Sequence, residues 1–282
     1  MRPIAALSIA DWNKRRVRVS TKGLIAVSFD QRNHGSREVD GKANKAWREG
    51  NETHAQDMYS IYRGTALDTS LLLDHVASYA FPERPIKISQ NIVLGISLGG
   101  HSTWHVLLHD ARFDTGVVVI GCPDYLRLMS DRARLTKLSS CTPNEQSGGT
   151  FVGSKDFPPD LVEAVKRFDP AGLLLGDGKV GPLSAEEDRA AKSAVYNLLG
   201  NKRILNMSGG ADKLVPYHCS EPFIRWLQRV IASEQNRGNA IVLQDRVYEG
   251  VGHMFTPVML EDAVTFISEN IRGADRECRS RM

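Results

Sequence analysis

The hydrophobic positions of this chain fall into short apolar runs that alternate with segments of helical spacing. Five runs have the length of buried strands and end at Gly, Asp or Pro: 24–29, 91–94, 116–120, 203–207 and 240–248. This alternation is typical of a parallel sheet covered by helices on both faces. We therefore predict an α/β fold with a mostly parallel, doubly wound sheet.

Apolar residues at intervals of three and four predict helices between these strands. The first helix follows Asp57 and ends before Pro82, while Ser220 and Thr256 can act as N-caps of two others. The predicted buried positions are Leu72, Leu73, Val76 and Ala80 in the first helix, Phe223, Leu227, Val230 and Ile231 in the second, and Leu260, Ala263, Val264, Ile267 and Ile271 in the third. The basic tail beyond Ile271 lacks an apolar face, and we expect it to be frayed.

Residues 122–199 interrupt the alternation. They contain polar helical stretches, a loop-like segment at 142–153 and the pair Pro158-Pro159. Such an interruption between two regular units indicates an inserted helical cap. We predict a core formed by residues 1–121 and 200–282, with residues 122–199 as the cap or lid.

Composition excludes several classes of protein. Hydrophobic residues make up 41% and charged residues 24% of the 282 positions, which argues against a disordered chain. The net charge is +3 without a large basic block, so we expect no nucleic-acid partner. No apolar run approaches the roughly 18 residues that span a bilayer. Oligomeric state is left open.

The four cysteines lack the spacing of a disulfide framework or a metal site. Cys122, Cys141, Cys219 and Cys278 are far apart and form no CxxC or Cys/His pattern. We therefore expect no bound metal and a reducing, cytoplasmic location.

A candidate nucleophile follows the second predicted strand. The run Gly-Ile-Ser-Leu-Gly-Gly occupies positions 95–100, and a helical pattern follows it. Gly-x-Ser-x-Gly between a strand and a helix is typical of a sharp turn that needs small neighbours at Gly95 and Gly99. Ser97 is the predicted nucleophile, and the Leu98 amide is predicted to stabilise an oxyanion at the helix N-terminus.

A serine hydroxyl needs a base, and the base needs a carboxylate that holds its tautomer. Asp212 follows the fourth predicted strand in a glycine-rich turn, and His253 follows the fifth. We predict these two residues as acid and base, with Asp124 as the rival acid. His101, His105 and His109 lie on the helix after Ser97, where packing or exposure is expected rather than catalysis.

The motifs around Ser97, Asp212 and His253 resemble those of the α/β-hydrolase superfamily over residues 12–272. The resemblance implies a serine hydrolase without a cofactor. It would cleave an ester, thioester or amide bond of a small-molecule acyl substrate through an acyl-serine intermediate. A serine peptidase and a carbon–carbon bond hydrolase are alternatives, because the same residues serve them.

A further loop supports the resemblance. The run Asp-Gln-Arg-Asn-His-Gly at 30–35 resembles the Asp-x-Arg-Gly-His-Gly loop of these enzymes, with Asn33 where glycine is usual. In the family this loop is mainly structural. We therefore expect Arg32 and His34 to make internal hydrogen bonds.

One departure from the family bears on activity. Counting back from Trp12, the His-Gly pair that provides a second oxyanion amide would fall near Pro3-Ile4, which match neither. We expect the strand between 24–29 and 91–94 to be absent, with residues 4–9 as a partial substitute, or the sequence to be a truncated form. Its loss would leave unpaired backbone inside the sheet and an incomplete oxyanion hole. A catalytically impaired binding protein is therefore a second functional hypothesis.

Overall fold

A computed structural model describes residues 2–16, 22–84, 86–141, 151–176, 184–233 and 238–280. Most of the segment 142–153, predicted to be a loop, lies outside these ranges. The strands of the described residues are β1 (Ile92–Ile96), β2 (Thr115–Val119), β3 (Arg203–Gly209) and β4 (Val242–Tyr248). The helices are α1 (Arg2–Arg16), α2 (His54–Ala80), α3 (Leu98–His109), α4 (Tyr125–Thr136), α5 (Pro159–Phe168), α6 (Pro170–Leu175), α7 (Ala185–Leu199), α8 (Tyr217–Ser233) and α9 (Pro257–Ser280).

The four strands form one parallel sheet in the order β1-β2-β3-β4. Alternate residues of the strands enter different cores. Val117 and Val119 of β2 pack with α9 in one core, whereas Val118 packs with α3 and α8 in the other. The prediction of a doubly wound α/β fold is therefore confirmed. All four strands end at the same edge, which is where the loops that follow them meet.

The segment 24–29, predicted to be a strand, forms none. Val27 is 53% exposed and Ile25 45% exposed, and no strand pairs with the outer edge of β1 among the described residues. A cavity of about 970 Å³ separates this segment from β1. An extended segment becomes a strand only when it exchanges hydrogen bonds with a neighbouring backbone, and the part of the chain that the structure describes offers this segment no such neighbour.

The first residues of the chain form a helix, so the prediction of a substitute strand at 4–9 is wrong. Ile4, Ser8 and Trp12 are all buried, and their spacing of four places them on one side of α1. Helix α1 packs against α9, and the Ser268 hydroxyl donates to Asp11 Oδ2 at 2.6 Å. This contact holds α1 against α9, whereas residues 4–9 had been expected to join the sheet between 24–29 and 91–94.

The predicted helices are present, with differences at their ends. Thr256 accepts a hydrogen bond from the Met259 amide and caps α9, as expected. Helix α9 then continues to Ser280, which corrects the expectation of a frayed tail from position 272. In α2 the buried face is at 54–66, while the predicted positions Leu72 and Val76 line the cavity.

Helices α4 to α7 lie between β2 and β3. Helix α7 packs on α3, with Val195 and Leu199 buried beside Trp104. The Tyr125 hydroxyl donates to the carbonyl of Ala55 and joins α4 to α2. No helix in the described ranges combines the length and the apolar composition needed to cross a membrane.

Candidate active site

Three loops at the carboxyl edge of the sheet bring Ser97, Asp212 and His253 together. Ser97 follows β1, Asp212 follows β3 and His253 follows β4. The Ser97 Oγ lies 2.8 Å from His253 Nε2, and His253 Nδ1 lies 2.8 Å from Asp212 Oδ2. The structure thus places side chains in one continuous hydrogen-bonded chain although 156 positions separate the serine from the histidine.

The backbone at Ser97 is strained in the way a nucleophile elbow requires. Ser97 has φ 56° and ψ −115°, in the left-handed half of conformational space. A Cβ at Gly95 would overlap the carbonyl of Gly99, and one at Gly100 would lie 2.7 Å from the carbonyl of Val119. At Gly99 itself the nearest atom would be 3.6 Å away. The sequence indicated a need for glycine at both 95 and 99, but only Gly95 is crowded.

The hydrogen bonds define the tautomer of His253. An ionised carboxylate only accepts hydrogen bonds, so Nδ1 carries the hydrogen that is donated to Asp212. The lone pair of Nε2 then faces the Ser97 hydroxyl. This is the arrangement that a general base needs.

Asp212 is held in its charged form. Burial alone would raise its pKa, but hydrogen bonds from His253 and from the amides of Val215 and Leu214 outweigh burial and lower the pKa. The two amides donate to Oδ1 at 3.0 and 2.8 Å. The carboxylate therefore keeps a negative charge beside the imidazole without any cation of its own among these contacts.

The Leu98 amide lies at the first position of α3. Among the described residues no hydrogen bond uses this N–H, and the helix dipole favours negative charge in front of it. The Gln31 amide nitrogen lies 3.6 Å from the position that a Cβ on Gly99 would take, and Gln31 Oε1 is buried without a hydrogen-bond partner in the described ranges. Nothing in the sequence pattern had indicated Gln31 as a neighbour of the elbow.

The rival acid and the other histidines have different partners. Asp124 caps α4 by accepting the Arg127 amide at 2.9 Å, and burial raises the pKa of its carboxyl to about 6. His101 is buried, which lowers its pKa to about 3, and its Nδ1 accepts from the Cys122 amide. His109 contacts the carbonyl of Phe168. None of these side chains hydrogen-bonds to Ser97 or His253 in the described part of the chain.

The loop at 30–35 is a structural turn, as expected. Arg32 donates to both carboxylate oxygens of Asp68, and His34 Nδ1 contacts the carbonyl of Arg32. Asn33 has φ 55°, a conformation that glycine adopts freely and that asparagine tolerates better than most residues. This explains how asparagine replaces the usual glycine.

One cluster in the described ranges has metal-ligating side chains within reach of one another. Asp131, His218 and Cys219 place ligand atoms within 4.8 Å. Burial raises the pKa of the Cys219 thiol to about 12, and Asp131 already forms an ion pair with Arg134.

Comparisons with known proteins show similarity at the level of fold. No family model and no curated protein sequence matches the chain. The chain is similar to TT1662 from Thermus thermophilus, with 19% identity over 94% of this chain and 81% of that one, and a TM-score of 0.53.

Two further solved structures are more distant matches. Acetyl xylan esterase 1 from Thermoanaerobacterium sp. JW/SL YS485 is 15% identical over 89% of this chain and 64% of its own length, with a TM-score of 0.39. SOBER1 from Arabidopsis thaliana is 12% identical over 74% and 66%, with a TM-score of 0.37. The chain thus spans less than two-thirds of the length of either. Together with the parallel sheet, the similarity to TT1662 shows that the chain has an α/β fold in which a parallel sheet is covered by helices on both faces.

Proposed function

We propose that this protein is a serine hydrolase that cleaves an ester, thioester or amide bond of a small acyl substrate. The observation that carries the proposal is the hydrogen-bonded chain from Ser97 through His253 to Asp212, with 2.8 Å at each step. A serine at a strained strand-to-helix turn and a base held by a buried carboxylate have few structural uses other than nucleophilic catalysis. Cys122, Cys141 and Cys219 are free among the described side chains, which fits a cytoplasmic setting.

The proposed reaction has two halves. The Ser97 oxygen attacks the substrate carbonyl carbon while its proton moves to His253 Nε2, and Asp212 stabilises the resulting imidazolium. The carbonyl electrons move to oxygen, and this oxyanion accepts a hydrogen bond from the Leu98 amide. The imidazolium then protonates the leaving group as its bond to the carbonyl carbon breaks. Water attacks the acyl-serine by the same route, which releases the acid and restores Ser97.

The oxyanion site sets the expected rate. One oxyanion donor contributes about 10² to 10³ in rate, so the Leu98 amide is expected to contribute by about this factor. The binding-protein hypothesis differs from the hydrolase in that Ser97 does not react at all. Neither a peptidase nor a carbon–carbon bond hydrolase is favoured by a particular contact.

We also propose that residues 122–199 cap the site and determine the substrate. Helices α4 and α5 of this region lie against α2, where the Tyr59 hydroxyl donates to the carbonyl of Ala164 at 2.8 Å. Helix α4 also reaches the loop that carries Asp212, through Arg132. Because α4 of the cap contacts the loop that carries Asp212, the cap is well placed to contact the acyl group of the substrate.

A fluorophosphonate probe tests the proposal, because it phosphonylates only an activated serine. Wild type is expected to be labelled at Ser97 and to hydrolyse nitrophenyl esters of graded acyl length. Ser97→Ala is expected to be unlabelled, and Asp212→Asn is expected to lower kcat by about 10⁴-fold. A folded wild type that takes up no probe would exclude the hydrolase and support the binding protein.

A further inference from the structure

Arg132 of α4 reaches the loop that carries Asp212. Its Nη2 donates to the carbonyl oxygen of Leu214 at 2.6 Å, and its Nη1 donates to His54 Nε2 at 3.0 Å. Nη1 also lies 3.1 Å from the sulfur of Met58. The side chain therefore joins three elements: α4, the first turns of α2, and the loop after β3.

The partners of Arg132 are neutral. His54 Nδ1 lies 2.8 Å from the carbonyl of Lys45, so Nδ1 carries the hydrogen and Nε2 is free to accept from the guanidinium. Burial, together with the charge of Arg132, lowers the pKa of His54 to about 4 and keeps its ring neutral. In the part of the chain that the structure describes, no carboxylate forms an ion pair with Arg132, so its geometry is determined by neutral acceptors.

The carbonyl that Arg132 holds belongs to a peptide unit with a second role. The carbonyl of Leu214 and the amide of Val215 form one planar peptide unit. That amide donates to Asp212 Oδ1 at 3.0 Å. A hydrogen bond to the carbonyl end of a peptide unit polarises it and strengthens the donor at the other end. Arg132 thus fixes and polarises the group that holds the carboxylate of Asp212.

The loop is exposed between Asp212 and Val215, whereas Val215 itself is buried in the core. Leu214 is 44% exposed, and Lys213 is exposed as well. Backbone hydrogen bonds from Gly210 and Ala211 to Tyr248 and Val251 secure the earlier part of the loop. The part between Asp212 and Val215 is therefore the segment that a contact from α4 steadies.

We propose that Arg132 is a positioning residue for the reaction. It orients the peptide unit between positions 214 and 215, and through it the carboxylate of Asp212 and the ring of His253. The inference rests on the proposed function, and it gives helix α4 a direct connection to the proton transfer in addition to any contact with substrate.

Substitutions of two arginines in α4, Arg132 and the control residue Arg134, test this role. Arg132→Met keeps the aliphatic length but removes every donor, and it is expected to lower kcat by about 10- to 10²-fold with KM within about 2-fold, since small misplacements of catalytic groups have effects of this size. Arg132→Lys keeps a charge and a donor and is expected to recover most of kcat. Arg134→Met is the matched control, because Arg134 is exposed on the same helix, and it is expected to match wild type.

A double-mutant cycle separates positioning from general destabilisation. If Arg132 acts through Asp212, then Arg132→Met changes the rate by less than about 2-fold in an Asp212→Asn background. An equal loss in both backgrounds, or a change confined to KM, would overturn the proposal. If Arg132→Met is unfolded by circular dichroism, Arg132→Gln carries the test, because its side chain is polar but too short to reach the carbonyl of Leu214, and a kcat equal to that of wild type overturns the inference. Failure of wild type to react with the fluorophosphonate would instead count against the proposed function.

Discussion

Gly95 is the residue on which the elbow depends most directly. The chain passes so close to itself at this turn that a single methyl group at Gly95 would meet the carbonyl of Gly99. Ser97 holds its positive φ only because the surrounding backbone is fixed. The rigidity of the turn and the reactivity of the serine are therefore expected to fail together.

A comparison of two alanine substitutions tests this dependence. Gly95→Ala is expected to lower the free energy of unfolding by about 1–3 kcal/mol, as overpacking does, and to slow labelling of Ser97. Gly99→Ala is the control: its methyl group meets ordinary contacts, and alanine favours a helix by up to about 1 kcal/mol over glycine. Urea unfolding and probe labelling measure both effects. Equal behaviour of the two variants would contradict the assignment of the strain to position 95.

Single residues differed in how far the sequence could identify them. The convergence of Ser97, Asp212 and His253 was predictable because each follows a strand, and parallel strands end at one edge. The role of Arg132 could not be predicted, because its partner is the backbone carbonyl of Leu214. Every residue has such a carbonyl, so the sequence does not indicate which one is bound. Gln31 was missed for a related reason, because its position beside Gly99 depends on how two loops pack.

At the scale of elements, the pattern of apolar residues predicted four strands and failed for a fifth. The run at 24–29 has the composition of a buried strand. Composition shows that a segment can form a buried strand, but it does not show whether a neighbouring strand is present to pair with it. The segment lies across a cavity from β1 and has exposed apolar side chains. Residues 4–9 show the opposite error, since their spacing of buried positions is helical and the helix packs on α9.

Hydrogen exchange distinguishes a paired strand from an extended but unpaired segment. No backbone hydrogen bond within the described ranges involves the amides of 24–29, whereas β3 is paired on both sides. We expect the amides of 24–29 to exchange at least about 10³-fold faster than those of 204–208, because protection follows the free energy of opening. Similar protection in both segments would show that 24–29 is paired in solution.

At the scale of the whole molecule, buried ionisable groups link stability to pH. The pKa values of His54 and His101 are lowered to about 4 and about 3 by burial, and burial also lowers that of His105. The unfolded chain takes up these protons near pH 6.5, so acidification favours unfolding. Asp124 acts in the opposite direction, since burial raises its pKa to about 6, and Asp169 shares this direction.

The contribution of His54 can be isolated. Because its pKa is about 4 in the folded state, acidification from pH 7 to pH 5 is expected to cost wild type about 2 kcal/mol from this residue alone. His54→Gln, which keeps a donor and an acceptor, is expected to lack this loss. The exposed His109→Gln is the control and should follow wild type. Urea titrations at the two pH values give the difference, and parallel curves for wild type and His54→Gln would refute the assignment.

The distance along the chain between the three interacting side chains also affects how the molecule becomes active. The Ser97 to His253 contact spans 156 positions and requires β1 and β4, at opposite edges of the sheet, to be in place at once. Contacts of such long range close late, after the local helices and the central strand pairs have formed. A nascent or partly folded chain therefore carries an inert serine. On the proposed function, the onset of Ser97 reactivity would mark the completion of folding, and a chain still being synthesised would not modify bystander molecules.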